Sequence, residues 1–289
     1  MIATPALPAT FTPTEVAAYL DRIGFDGPTS PTSPSVATLR GIYRAHLYNV
    51  PFENFDILPL GRPLSLAPAA LYDKIVRRHR GGFCYELNGL LGTVLRDLGY
   101  DVTIVAVQFV EADGAFSPPF DHMALVVATA DSPDRWLVDA AGGRRSSADP
   151  LPLVHGFAEF QPDVQLASRL TATGDRWQLD EQAPGEPWTP NYTFQVIPRT
   201  LNDFLDRCRY HEQNPASYFR QGALCSMPTP NGRITLSKDQ LISTVGGLRD
   251  ERTVTEDEYD EVLRVAFGID LARPAPDSHL RERLTAGRL

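Results

Sequence analysis

The stretch RGGFCYELNG at residues 80–89 constrains this chain most, because it places a cysteine directly after two glycines and an aromatic residue. From Cys84 onward the apolar residues recur at helical spacing, which predicts that Cys84 begins a helix ending at Gly99. Unpaired N–H groups at a helix N-terminus stabilise an anion, and the thiolate is the nucleophilic form of cysteine. The stretch therefore predicts either a nucleophile or, since free cysteines are mostly buried, a core cysteine.

Composition and charge limit the classes of function. The 289 residues carry a net charge of −9 and no stripe rich in Lys and Arg, which argues against a nucleic-acid surface. The cysteines Cys84, Cys208 and Cys225 are too few and too far apart for a disulfide framework or a zinc knuckle. Residues 1–13 lack the segments of a signal peptide, and no segment has the ~20 apolar residues of a membrane span. We therefore expect a cytoplasmic protein whose partners are small molecules, with no nucleic acid and no membrane.

The period of the apolar residues divides the chain into three predicted domains. Residues 1–99 carry helical patterns and predict a small bundle that bears the cysteine. Residues 100–200 are rich in β-branched residues and predict a partly closed β-barrel. Residues 201–289 predict a helix, a hairpin and a last helix from Thr255 to Gly268. The hairpin and a charged, peripheral end are predicted at residues 233–244 and 274–289.

Other polar residues have structural interpretations. Lys74 shares a basic run with Arg77 and Arg78, which predicts a solvated helix face. His46 lies on the apolar stripe of a predicted helix, a position that indicates a hydrogen-bonded histidine in the core. Exposure is expected for the remaining histidines except His122, namely His79, His155, His211 and His279.

A thiolate nucleophile needs a base and an acidic group that orients the base. His122 begins one strand candidate, and Asp139 ends another. Neighbouring strands would bring these two side chains together near the N-terminus of the Cys84 helix. The residues thus favour a Cys-His-Asp hydrolase or acyltransferase, against a structural histidine and a turn-forming aspartate.

Four motifs, in this order and spacing, resemble the arylamine N-acetyltransferase family. They are VPFENFDI at 50–57, RGGFCYELNG at 80–89, DHM at 121–123 and WLVD at 136–139. The resemblance covers nearly the whole chain, since residues 215–219, 233–236 and 267–269 are also similar to the family.

The resemblance implies an α+β fold with a core like that of the cysteine proteinases: an N-terminal helical bundle, a central β-barrel and a C-terminal α/β lid. It implies a catalytic triad of Cys84, His122 and Asp139, supported structurally by an ion pair of Glu53 with Arg80. It also places four residues beside the substrates: Phe52, Phe83, Gly142 and Gly143.

The activity implied by the resemblance is ping-pong transfer of an acyl group. The cysteine takes the group from acetyl-CoA, or from an acyl carrier protein, and passes it to an aromatic amine or hydrazine. The expected co-substrate is thus an acyl thioester, with no bound cofactor and no metal.

One departure from the family concerns the acceptor. The family's DVGFG is replaced by DAAGG at 139–143, so Gly142 stands where a phenylalanine borders the acceptor pocket. Losing an aromatic wall leaves room for a bulkier substrate. This favours the family's second branch, the amide synthases that close a carrier-bound polyketide into a macrolactam. Outside the family, the alternatives are a papain- or transglutaminase-like enzyme and a non-enzymatic binding module, which would be expected to lack a member of the triad, whereas all three are present here.

Overall fold

A computed structural model describes most of the chain, at residues 10–29, 32–143, 147–162, 165–230 and 232–272. The predicted peripheral stretch 274–289, with His279, lies outside the described residues. Within them, no helix has the length and apolarity that crossing a bilayer requires.

Four helices form the N-terminal part. Helix α1 spans Pro13–Arg22 and begins with a capping box, and α2 spans Val36–Asn49. Helix α3 spans Pro68–Tyr72 and continues into a π-helical turn, Asp73–Arg77. Helix α4 spans Cys84–Asp97. The predicted helical bundle is therefore present.

Helix α4 is the central element of the fold. Its residues from Cys84 to Leu95 are all buried. It packs against α3 on one side and against the large sheet on the other. A helix surrounded on all sides can be apolar around most of its circumference, which explains the density of leucines after Cys84.

The large sheet has eight antiparallel strands: β2 Asp101–Phe109, β3 His122–Ala128, β4 Arg135–Val138, β5 Leu151–Pro152, β6 Ala158–Gln161, β7 Leu166–Thr173, β8 Arg176–Gln182 and β9 Thr189–Gln195. Their order is β5-β4-β3-β2-β9-β8-β7-β6. Ile104 belongs to the core shared with the helices, whereas Val105 and Val107 belong to a second core inside the curled sheet. Strand β2 is thus buried on both faces, as its continuous apolar run requires.

The C-terminal part contains helix α5, a second antiparallel sheet and helix α6: α5 Leu205–Gln213, β10 Leu224–Thr229, β11 Gly232–Ser237, β12 Gln240–Val245, β13 Leu248–Thr253 and α6 Glu256–Phe267. Helix α6 packs on this sheet, begins after Thr255 and ends at Gly268, whose φ of 67° is left-handed. The predicted hairpin is β11–β12, and the predicted last helix is α6. Both predictions are confirmed.

A short strand from the N-terminal part completes the second sheet. Strand β1, Phe52–Glu53, pairs antiparallel with β10, and the sheet order is β1-β10-β11-β12-β13. Two residues are too few to show a period, so the apolar pattern of the sequence could not predict this strand. The α+β architecture with a half-barrel is confirmed, while the boundaries 1–99, 100–200 and 201–289 stay a prediction.

Candidate active site

Cys84 is the first residue of α4, as the sequence predicted. It is 3% exposed and lies in the wall of a cavity. Phe83 precedes it in extended conformation, and the carboxylate of Glu86 accepts a hydrogen bond from the N–H of Phe83 at 3.1 Å. The thiol therefore stands at a helix N-terminus, where the positive end of the dipole favours an anion.

The two glycines before the cysteine permit a close approach of the protein's own backbone. A Cβ at Gly81 would lie 1.9 Å from the backbone oxygen of Pro51. The N–H of Glu53 donates to the backbone oxygen of Gly82 at 2.9 Å, so this loop lies against β1. Neither glycine has a positive φ, so close contact rather than a left-handed turn requires glycine at 81.

His122 and Asp139 lie together, as their positions in the sequence indicated. His122 begins β3, and Asp139 directly follows β4, the neighbouring strand. Nε2 of His122 donates to Oδ2 of Asp139 at 2.8 Å, and both side chains are buried. The side chain of His122 also interacts with that of Cys84, and both line the same cavity.

The charged form of His122 is favoured in this position. Burial opposes the imidazolium, but the carboxylate of Asp139 and hydrogen bonds to Asp139 and Cys84 outweigh it, and they raise the pKa of His122 to about 10. Burial likewise opposes the carboxylate of Asp139, yet the charge of His122 and hydrogen bonds from Asn88 and Ala141 lower its pKa. The pair can therefore hold a proton beside the thiol.

A buried group of charges lies on another side of the α4 N-terminus, and we call it the five-charge cluster: Glu53, Asp56, Lys74, Arg80 and Glu86. Arg80 donates to Oε1 of Glu53 at 3.0 and 2.7 Å, which is the pair that the resemblance implied. Nζ of Lys74 lies 2.8 Å from Oε1 of Glu86 and 2.9 Å from Oδ2 of Asp56. The cluster joins the π-helical turn, the loop after β1 and the first turn of α4.

The prediction that Lys74 lies on a solvated face is wrong, since the residue is 4% exposed. Burial opposes its charge, but the carboxylates of Glu53, Glu86 and Asp56 outweigh burial and raise the pKa of Lys74. These partners are 12 to 21 positions away in the sequence, so the local charge pattern did not reveal them.

The cavity beside Cys84 has a volume of about 920 Å³ and is lined by the bundle, the barrel and the C-terminal part. This is the size of a site for a drug-sized molecule. Of the four residues predicted beside the substrates, Phe52, Gly142 and Gly143 line it. Phe83 instead is fully buried and packs edge-on against Tyr85, with ring centroids 5.0 Å apart.

The histidine predictions have mixed outcomes. His46 is a core histidine whose Nδ1 bonds the hydroxyl of Tyr19 at 2.7 Å, as predicted. His79 and His155 are exposed, as expected. The exposure predicted for His211 is wrong, because its ring is buried and lines the cavity.

His211 is buried because it packs against groups from the segment after α5 and from the segment before β3. Its Nδ1 lies 3.1 Å from Oγ of Ser217, and its Nε2 lies 3.4 Å from Oδ1 of Asp121. Arg207, one turn earlier on α5, also donates to Asp121. The i,i+4 spacing of Arg207 and His211 was the only sequence signal for a shared partner.

Metal ligation has no candidate in the part of the chain that the structure describes. No three His, Cys, Asp or Glu side chains there come together as ligands would.

Comparison with known proteins identifies the family. The sequence model described as N-acetyltransferase matches residues 35–275. The arylamine N-acetyltransferase of Mycolicibacterium smegmatis is 36% identical over 261 residues, covering 89% of this chain and 92% of that protein. The arylamine N-acetyltransferase 2 of Mus musculus is 32% identical, with coverage of 92% and 97%.

Solved structures agree with this. The arylamine N-acetyltransferase of Mycobacterium marinum in complex with CoA superimposes with a TM-score of 0.80 at 31% identity, covering 94% of this chain and 97% of that one. The enzyme from Salmonella typhimurium gives 0.82 at 27% identity, with coverage of 96% and 100%. This chain belongs to the arylamine N-acetyltransferase family.

Proposed function

We propose that this protein transfers an acetyl group from acetyl-CoA, through an acyl-enzyme on Cys84, to an aromatic amine or hydrazine. The observation that carries the proposal is the bond of His122 to Asp139 at 2.8 Å, with Cys84 interacting with the same histidine and lining the same cavity. The CoA complex of the Mycobacterium marinum relative supports CoA as the donor.

In the first half-reaction His122 holds the proton of the Cys84 thiol as the imidazolium, and the resulting thiolate attacks the thioester carbonyl carbon. N–H groups in the first turn of α4 stabilise the oxyanion that forms. The bond from carbon to the sulfur of CoA then breaks, and His122 returns the proton to the departing CoA thiolate. Asp139 stabilises the imidazolium while it exists.

In the second half-reaction a neutral aromatic amine attacks the same carbonyl carbon. His122 accepts the proton that the nitrogen loses as the amide forms, and the bond to the sulfur of Cys84 breaks. His122 then protonates the thiolate of Cys84. Phe52 and Gly142 are proposed to flank the acceptor, since both line the cavity.

Steady-state kinetics test this function. Release of CoA from acetyl-CoA should depend on an added arylamine or hydrazine and should give parallel double-reciprocal lines, because the two half-reactions share no ternary complex. The assay uses a panel of arylamines and hydrazines. If acetyl-CoA neither acetylates Cys84 nor releases CoA in the presence of any of these amines, the proposal is wrong.

A second candidate is an amide synthase that releases a carrier-bound polyketide when the chain's own arylamine attacks the acyl-enzyme. The cavity of about 920 Å³, with Gly142 and Gly143 in its wall, favours it. Gly142→Phe separates the two functions. Under the first it should lower the KM of a small arylamine by adding an aromatic wall, whereas under the second it should slow transfer from long acyl pantetheine thioesters.

A further inference from the structure

The amide of Asn88 makes three hydrogen bonds that join the elements around Cys84. Asn88 lies one helical turn after Cys84 on α4 and has no exposed surface. Its Nδ2 donates to the backbone oxygen of Met123 at 2.7 Å and to Oδ1 of Asp139 at 3.0 Å. Its Oδ1 accepts from the N–H of Ala140 at 3.0 Å. One side chain therefore contacts the start of β3, just after the histidine, and the segment that carries the aspartate.

These bonds fix the rotation of the Asp139 carboxylate. Oδ1 accepts from Nδ2 of Asn88 and from the N–H of Ala141, each at 3.0 Å. Oδ2 is therefore the oxygen presented to His122, at 2.8 Å. The sequence signal for this role was only the position of Asn88 in the motif at 80–89.

An amide matches this set of partners, whereas its nearest substitutes do not. Asn donates twice and accepts once here, whereas an ionised Asp only accepts and Leu does neither. Asp at 88 would also place a second carboxylate against Asp139, which disfavours the charged form of both. Leu would leave Oδ1 of Asp139 and the N–H of Ala140 each with one hydrogen bond fewer in a buried site.

We propose that Asn88 is a positioning residue: it holds the Asp139 carboxylate and the start of β3 so that His122 remains within reach of Cys84. The inference rests on the acyl-enzyme chemistry proposed above. Its test must therefore probe the thiol without an acyl donor.

Alkylation of Cys84 by iodoacetamide is such a probe, because the thiolate forms a carbon–sulfur bond and releases iodide. Rates at Cys84 are measured against pH by peptide mass spectrometry for the parent, Asn88→Asp and Asn88→Leu. We expect the rate near pH 7 to fall by about 10-fold or more, and the profile to move to higher pH, since the charged His122–Asp139 pair loses a hydrogen bond that holds it in place. Two phenols, those of Tyr43 and Tyr192, lie near Asp139. Burial raises the pKa of both, so their titration does not contribute to the alkylation profile near pH 7.

Asn54→Leu is the matched control. Asn54 is 2% exposed, and its amide also donates twice and accepts once, but it bonds no carboxylate: Nδ2 donates to the backbone oxygens of Phe219 and Gly222 at 2.9 Å, and Oδ1 accepts from the N–H of Leu224 at 2.7 Å. This variant should lose stability but retain the parent's alkylation profile. Equal slowing in Asn54→Leu would overturn the proposal, because the slowing would then report general loss of stability.

Circular dichroism establishes first which variants fold. If a folded Asn88 variant reacts at the parent's rate and with the parent's pH profile, or if neither variant folds, Asn88 is a residue of stability alone and the proposal is wrong. A parent that alkylates rapidly but is never acetylated by acetyl-CoA would instead contradict the proposed function and leave the positioning role standing.

Discussion

Two buried groups of charges lie beside the start of α4, and they differ in whether their members line the cavity. In the five-charge cluster each cation faces carboxylates at 2.7 to 3.7 Å, and none of the five members lines the cavity. His122 also faces a carboxylate, but it lines the cavity together with Cys84. Buried charge alone therefore does not mark the reactive side, whereas a charge that adjoins both a nucleophile and a cavity does.

Removing the nucleophile should give the largest effect. Cys84→Ser is nearly isosteric, so we expect an unchanged fold. We also expect the loss of all acetyl transfer, because a serine hydroxyl does not ionise near neutral pH. Acetyl transfer is measured by release of CoA, and the fold by circular dichroism. Cys208→Ser, which changes a buried thiol that does not line the cavity, is the control. Full activity of Cys84→Ser would remove the thiol from the mechanism.

Neutralising the carboxylate of the His122–Asp139 pair should have the second-largest effect. Asp139→Asn keeps the shape but removes the charge that stabilises the imidazolium, and a change of this kind costs about 10⁴-fold in kcat in a hydrolase triad. Asp149→Asn, which changes the partner of the exposed Arg44, should keep kcat. Comparable rates for Asp139→Asn and the parent would mean that His122 needs no carboxylate.

Breaking the five-charge cluster should affect stability rather than chemistry. Lys74→Met leaves the buried carboxylate of Glu86 without its ion-pair partner and that of Asp56 with Arg80 alone, which costs about 3–5 kcal/mol. Chemical denaturation measures the loss, and Arg77→Met, which removes a half-exposed pair with Glu15, should cost less than about 1 kcal/mol. If Lys74→Met is as stable as Arg77→Met, the cluster does not hold the α4 start in place.

Over a single pH unit, the smallest predicted effect is a pH dependence of stability that comes from His122. Because its pKa is raised to about 10 in the folded protein, its contribution is fully present below the unfolded value near 6.5 and is lost as the pH rises towards 10. The difference in unfolding free energy between the parent and His122→Gln should therefore shrink over this range, by at most about 1.4 kcal/mol per pH unit. A constant difference for His122→Gln would contradict the raised pKa.

Local periodicity explains what could be predicted. The apolar period after Cys84 is that of a helix, and α4 begins at that residue. His122 and Asp139 border two short strands, and pairing of those strands brings the side chains together. The helical period up to Gly99 and the β-branched runs after it indicated a bundle followed by a β domain, whereas the complete α+β fold class came from the resemblance to the family.

The polar contacts of the interior could not be predicted in the same way. A period of apolar residues shows which face of an element is buried, but a lysine at its border can point to either side, as Lys74 does. Asn88 and His211 depend on partners 6 to 90 positions away, which only the folded chain brings near. Strand β1, with two residues, is too short to have a period.

The central claim is that Cys84 carries the acyl group, and intact-protein mass spectrometry in a single turnover tests it most directly. With acetyl-CoA and no amine, we expect a mass increase of one acetyl group, located on the Cys84 peptide, absent in Cys84→Ser, and lost when an arylamine is added as the acetylated amine forms. Acetylated amine formed by the parent without any such adduct, or an adduct that an arylamine does not discharge, would contradict the account.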